Sequence, residues 1–362
     1  MHFEPWNGGA RVRLRVDGHL QDAGELSAGW ARTVVQRVRE TLESPGEQGP
    51  HLEGFIRSPE NGTHGLYYVT IVASRRGPSV TFIDISAPEF GASLSELAVP
   101  TEDRDELIEL LRARSGVVLV AGTNRAQKLR FFDLLLREKK AAERKTFTLG
   151  RMPWFSEDRY IQVRVRTEEA GEALDALRVI AEQEPDIVAV EDAWNERVVA
   201  LIFQSVQRPV LCMAGLHLRT ALAALEYTLD AVPNRTLVAE GLRGVVAVAA
   251  FRRLCPECRK PDERTAEAAR KLGLSHAEIK AGALRRAEGC AVCGGGFSGL
   301  VPVVEVLRVD RETAEYLKIE ESGPKIRDHL LAKGYRAIDV KVRNLILAGE
   351  IEFDEYPYAE GG

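Results

Sequence analysis

The sequence contains no hydrophobic run long enough to cross a bilayer. Its longer apolar stretches, such as Gly244–Phe251, fall far short of the ~20 residues that a membrane-spanning helix requires. The first residues show no basic segment followed by an apolar one, so we expect no signal peptide. These absences predict a cytoplasmic protein that does not insert into a membrane.

A strong excess of charge of one sign is also missing. The net charge is -5 and the isoelectric point is about 5.9, so the overall balance does not predict binding to nucleic acid or to an anionic membrane. Hydrophobic residues make up 45% and charged residues 28% of the 362 residues. This composition is typical of a globular protein, and the length is enough for two or three domains.

Cysteine is scarce, with five residues in the whole chain. Four of them form two C-x-x-C pairs, Cys255 with Cys258 and Cys290 with Cys293, whereas Cys212 lies alone in an apolar run and is expected in the core. Two such turns can place four thiolates around a tetrahedral ion. The spacing predicts a structural zinc site in a reducing compartment; free thiols, or a site that has lost its metal, are the alternative.

The insert between the two pairs contains a helix start signal. Ser275 and Glu278 have the spacing of a capping box, which predicts a helix beginning there. His276 lies at this point, but four sulfurs already fill the coordination shell. We therefore expect His276 to be a solvated helix residue rather than a ligand.

The first part of the chain reads as a small α+β domain. Arg11–Gly18 alternates apolar and charged residues, as a strand with one buried face does, and Ser27–Glu43 has apolar residues at helical spacing. Two further strands, at 66–74 and 79–86, flank a turn.

Beyond Thr101, which is a plausible N-cap of a helix over Thr101–Arg114, continuous apolar strands alternate with helices. This order predicts a largely parallel sheet covered on both faces. The predicted strands are 117–121, 145–149, 160–165, 186–191, 209–213 and 245–249, and the predicted helices are 126–138, 168–183, 195–206 and 219–231.

The segment 117–136 has the layout of a phosphate-binding loop: an apolar strand, a glycine turn and an amphipathic helix. In the pattern G-x-x-x-x-G-K-[ST], Gly122 and Lys128 fit, but Gln127 replaces the second glycine and Leu129 replaces the hydroxyl residue. A phosphate loop needs that glycine for close backbone approach and that hydroxyl for Mg²⁺. The location of a nucleotide site is indicated, while its chemistry is not.

These motifs together resemble the ATPases of type II secretion and type IV pilus assembly. The chain from His2 to Leu20 is similar to their "H-I-E-P … R-x-R-x-D-G" signature, 184–199 to their Walker B segment, and 213–225 to their histidine box. The double C-x-x-C with the following "GFSGLVPVVEVL" is similar to the zinc module of the assembly members. The resemblance covers nearly the whole chain.

The resemblance implies an α/β fold with a RecA-like parallel-sheet core. It also implies a hexameric cytoplasmic ring, formed by copies of this chain or together with an active paralogue. The ring is expected at the periphery of the inner membrane, where it contacts a platform protein. No binding of nucleic acid beyond nucleotide is expected. The implied divisions are a PAS-like α+β domain at 1–90, the nucleotide-binding core at 95–251, the zinc module at 252–306 and a C-terminal helical region at 307–362. Arg13 and Arg15 of the first strand match family arginines that help to neutralise nucleotide phosphates.

Several family residues are substituted here. At the end of the Walker B strand Glu191 and Asp192 stand in place of Gly-Glu, and Trp194 stands in place of an arginine. The acidic box has become Gly150-Arg151, and the histidine box keeps His217 without its polar neighbours. Asp192, Glu191 and His217 are the candidate catalytic residues. A chance retention of acids at a strand end and a structural role for the histidine are the alternatives.

Three hypotheses follow from this pattern. The leading one is a catalytically degenerate relative that is structural or regulatory in a secretion or pilus machine. The second is an active ATP-hydrolysing motor with a divergent site that binds ATP and Mg²⁺. The third is a zinc-stabilised adaptor unrelated to secretion.

Overall fold

A computed structural model describes residues 1–356 except 17–18, 44–50, 61–62, 86–89, 92, 141–142, 151–159, 166–169, 194, 206–208, 294 and 321. The chain divides into two compact units, Met1–Ala87 and Pro88–Gly362. Within the described ranges, no helix is both long and apolar enough to span a membrane.

The first unit is an antiparallel sheet covered by a helix. Among its described residues, six strands lie in the order β3-β2-β1-β6-β5-β4. The elements are β1 His2–Trp6, β2 Gly9–Val16, β3 His19–Leu26, α1 Ala28–Thr41, β4 His51–Glu60, β5 Thr63–Ser74 and β6 Gly77–Asp84. The predicted helix and the three predicted strands of this region are present.

The core of this unit forms where α1 covers the sheet. Val38 of the helix is buried with Val69, Ile71 and Val80 of the strands, because the alternating residues of each strand place one apolar set on the helix side. Trp30, which the helical pattern included in the apolar face, is 66% exposed.

The second unit is built on a mixed sheet, which in the described residues has seven strands in the order β15-β12-β7-β11-β10-β8-β9. All neighbouring pairs are parallel except β12 with β15, which is antiparallel at the edge. The strands are β7 Gly116–Ala121, β8 Thr146–Gly150, β9 Ile161–Arg164, β10 Ile187–Val190, β11 Leu211–Leu216, β12 Leu242–Leu254 and β15 Phe297–Arg308.

Helices on this sheet bury its apolar strands. They are α2 Thr101–Leu111, α3 Arg125–Glu138, α4 Ala170–Ala181, α5 Glu196–Ser205, α6 Ala221–Ala231 and α7 Arg235–Gly241. Every residue of β7, β10 and β11 is buried, as the continuous apolar runs predicted. The predicted α/β fold with a largely parallel sheet is confirmed.

The start of α2 differs in detail from the prediction. The N-cap residue is Pro100, and Thr101 is the first helical residue, with no side-chain cap. Asp103 in the first turn is buried and accepts hydrogen bonds from Arg336 at 2.7 Å and Lys341 at 2.8 Å. A tertiary ion network rather than a local cap therefore occupies this helix terminus.

The rest of the chain contains short helices and the segment around the four paired cysteines. We call residues 252–306 the cysteine region. The elements of the rest of the chain are β13 Lys260–Pro261, α8 Thr265–Leu272, α9 His276–Ala281, β14 Arg285–Arg286, α10 Arg311–Ile319, α11 Gly323–Ala332, α12 Ile338–Leu347 and a 3-10 turn at Phe353–Glu355. The capping box of Ser275 and Glu278 is present at the start of α9, as predicted. One apolar cluster joins α8, α9 and α12 to β15 and the final segment.

Candidate functional site

The carboxyl ends of β7, β10 and β11 meet at one edge of the sheet because the three strands are parallel neighbours. In open α/β sheets, ligands bind at this edge. The phosphate-loop segment follows β7, the two acids follow β10 and His217 follows β11. The sheet thus brings together the candidate residues of the second unit.

The phosphate-loop segment is shorter than its motif. Helix α3 begins at Arg125, inside the G-x-x-x-x-G-K pattern, whereas a functional loop precedes its helix. Asn124 is the N-cap, and its side chain accepts a hydrogen bond from the Gln127 amide at 3.1 Å. A backbone amide in the first turn of α3, of the kind that would donate to a phosphate in a functional loop, therefore donates to a side chain of the protein instead.

Lys128 is turned into the protein and is fully buried. Its Nζ lies 3.0 Å from Asp192 Oδ1, and the Asp192 side chain is 22% exposed. Because an isolated buried ammonium is very costly, this carboxylate is what makes the position of Lys128 tolerable. The charge of the lysine is neutralised by the chain itself.

A second ion pair lies beside the first. Arg125 donates through Nε and Nη2 to Oε1 of Glu191, at 2.8 Å for Nε, and the Glu191 side chain is completely buried. Gly215 of β11 makes room here, since a Cβ on it would lie 2.0 Å from the Glu191 carbonyl oxygen. We call Arg125, Lys128, Glu191 and Asp192 the ionic brace.

The remaining candidates of this site have different surroundings. Leu129 is buried in the core, where it provides packing and no oxygen ligand. His217 is exposed directly after β11, and Gly150 ends β8. Arg151 and Trp194 lie outside the described residues.

The two arginines of the first unit lie on β2. Arg13 donates to Glu4 Oε1 at 2.5 Å, so its charge also has an acidic partner within the unit. Arg15 is exposed at the far end of the strand.

The four cysteines of the two C-x-x-C pairs come together as the spacing predicted. Their sulfurs all lie within 4.8 Å of one another, and Cys293 Sγ is 3.6 Å from the sulfurs of both Cys258 and Cys290. A tetrahedral ion with metal–sulfur bonds of ~2.3 Å needs sulfurs ~3.8 Å apart. The donor set and spacing fit a metal ion held by Cys255, Cys258, Cys290 and Cys293.

Backbone groups support this cluster. Burial alone would raise the pKa of the Cys293 thiol, but hydrogen bonds from the backbone of Cys290 and Gly296 and from neighbouring thiols lower it to about 7.

His276 is exposed on α9, as expected for a solvated residue. Cys212 is buried in β11, where desolvation raises its pKa to about 12, as expected for a core thiol.

Fold and motifs together define a RecA-like protein with a cluster of four cysteines whose geometry fits a metal ion. Residues 1–357 match the model of the family described as "Type II/IV secretion system protein". The chain belongs to this family, and the resemblance inferred from its motifs is confirmed.

Curated relatives include the type II secretion system ATPase E of Vibrio cholerae, which is 27% identical over 92% of this chain and 66% of its own length. The type IV pilus assembly ATPase PilB of Thermus thermophilus is 23% identical over 93% of this chain and 38% of its own length. The chain thus spans two thirds or less of these relatives.

Solved structures share the fold. The pilus retraction motor PilT with bound ADP has a TM-score of 0.62 at 13% identity and covers 100% of this chain and 92% of its own. The ATPase DotB of Legionella pneumophila has a TM-score of 0.66 at 13% identity and covers 98% and 90%.

Two residues of the site were not singled out from the sequence. Asn124 and Arg125 occupy variable positions of the loop motif, where no residue type is prescribed. The available signal was an Asn followed three residues later by an amide that it could cap. For Arg125 there was none, because its partner Glu191 is 66 residues away.

Proposed function

We propose that this chain is a catalytically silent member of the secretion and pilus-assembly family, acting as a structural or regulatory subunit. The proposal rests above all on the ionic brace, in which the lysine of the phosphate loop is buried and neutralised by Asp192. The four divisions expected from the sequence, ending at 90, 251, 306 and 362, are part of this proposal. So is zinc as the metal of the four cysteines.

Energetics favour a silent site. Recruiting Lys128 to a phosphate requires breaking its pair with Asp192, and breaking a buried pair costs about 3–5 kcal/mol. That cost alone weakens binding by about 10²–10⁴-fold. Leu129 supplies no oxygen for Mg²⁺, and each missing charge-stabilising group lowers the rate by about 10²–10³-fold.

Family membership supports the choice of partners. We propose a ring with self or an active paralogue, in contact with an inner-membrane platform protein, at the cytoplasmic face of the membrane. A silent subunit of this kind contributes its interfaces rather than turnover. Gel filtration with mass measurement, and co-purification with the platform protein, test this part.

MgATP is expected to show neither saturable binding below about 0.1 mM nor turnover above background, because weakening a micromolar site by about 10²–10⁴-fold gives a dissociation constant of about 0.1–10 mM. Calorimetry and a phosphate-release assay on metal-loaded protein measure both quantities. Lys128→Met is the negative control of both assays, because it removes the single lysine of the loop motif. Turnover in the wild type that Lys128→Met abolishes would instead establish a motor with a divergent site using Asp192, Glu191 and His217.

A further inference from the structure

The last described residues, 349–356, form a segment that packs across the cysteine region. Ile351, Phe353 and Tyr356 are buried in its apolar cluster, while acidic residues alternate with them. Asp354 Oδ2 accepts from Arg264 at 3.0 Å and Glu355 Oε1 from Arg252 at 2.7 Å. We call residues 349–356 the C-terminal strap.

The strap contacts the residues on both sides of the first cysteine pair. The Leu254 amide, next to Cys255, donates to the Glu350 carbonyl at 2.8 Å. The Arg259 guanidinium, next to Cys258, donates to the Gly349 carbonyl at 2.5 Å. Both residues that flank the first pair are therefore held by the strap.

A relay of contacts connects the strap to the second pair. The Glu352 carboxylate accepts a hydrogen bond from the Ala287 amide. Ala287 in turn lies against Gly296, where an added Cβ would approach the Ala287 Cβ to 2.5 Å and where φ is +88°. Only glycine fits that position without strain.

Gly296 completes the relay because it contacts two of the cysteines. Its amide donates to Cys293 Sγ at 3.2 Å, and its carbonyl accepts from the Cys255 amide at 2.9 Å. A displacement of Ala287 would therefore be felt at one cysteine of each pair. Groups that orient metal ligands in this way set the affinity of the metal.

We propose that the C-terminal strap positions the four cysteines for metal, with Glu352 as the principal positioning residue, and that strap docking and metal binding reinforce each other. The inference rests on the metal site proposed above. Such coupling is reciprocal. The free energy of metal binding that is lost when the strap contact is removed equals the free energy of strap docking that is lost when the metal is removed.

Zn²⁺ affinity of the full chain, measured by chelator competition, tests the first direction. Glu352→Met leaves the Ala287 amide without its acceptor and is expected to weaken Zn²⁺ binding about 10–100-fold. Glu267→Met, an exposed acid of the same region on α8, is the matched control and is expected to leave the affinity unchanged. Asp354→Asn keeps the shape of a partly exposed strap residue and is expected to weaken binding less than Glu352→Met.

Hydrogen exchange on the wild type tests the reverse direction without any substitution. Removing Zn²⁺ is expected to speed exchange of the Leu254 and Ala287 amides, whose acceptors belong to the strap. If the wild type binds Zn²⁺ while Glu352→Met retains full affinity and these amides do not respond, the coupling is overturned and the metal site stands. If the wild type binds no Zn²⁺, both the metal site and the coupling are overturned.

Discussion

Asp192→Asn is expected to lower the free energy of unfolding by about 3–5 kcal/mol, because it leaves the buried ammonium of Lys128 without its counter-charge. For the larger unit this corresponds to a fall in melting temperature of about 6–20 °C. Chemical denaturation, with thermal melting as a second probe, measures the change. The effect would be unusual for a loop acid, since most surface substitutions have little effect.

A double-mutant cycle separates the ion pair from other causes. Lys128→Met/Asp192→Asn removes both charges and is expected to recover much of the stability that Asp192→Asn loses. Asp175→Asn is the matched control: it breaks the pair between Asp175 and Arg178, whose side chains are 78% and 64% exposed, and should cost little. Equal effects of Asp192→Asn and Asp175→Asn would contradict the brace.

Removing the proposed zinc ion is expected to destabilise the cysteine region. A metal that binds only the folded state stabilises it by about 4 kcal/mol at a thousandfold excess over its dissociation constant. We therefore expect chelation, or Cys258→Ser, to lower the melting temperature and to expose the strap region to protease. Metal content by mass spectrometry and thermal melting check this result.

The fifth cysteine provides the control for that experiment. Cys212 is buried in β11 and does not belong to the cluster of four thiols. Cys212→Ala should therefore keep one zinc per chain. A chain that retains its full melting temperature after complete metal removal would contradict a structural role. Zinc loss in Cys212→Ala equal to that in Cys258→Ser would contradict the ligand assignment.

Local patterns predicted most of the fold. The apolar runs that became β7, β10 and β11 were recognisable because strands buried on both faces need no polar alternation. The prediction that Thr101 caps α2 was wrong in detail, because the N-cap is Pro100. The Arg336 and Lys341 partners of Asp103 lie more than 200 residues away in the sequence. Sequence-local rules cannot include such partners.

The candidate site divides in the same way. The loss of the second glycine and of the hydroxyl residue could be read directly at Gln127 and Leu129. From the sequence alone, the favoured interpretation of Lys128 was a surface helix residue, with a phosphate ligand as the alternative, and its complete burial shows that the surface interpretation was wrong. The structure gives it a third position, buried against Asp192.

The sequence by itself determined the family, the parallel core and the four clustered thiols, because each depends on residue type and short spacing. Only the tertiary structure decided how the phosphate-loop charges are neutralised and how the strap reaches both cysteine pairs. Lys128 and Asp192 are 64 residues apart, and Glu352 is 65 residues from Ala287. Such pairs form because the strand order and the apolar packing bring distant segments together, and no local pattern records that order.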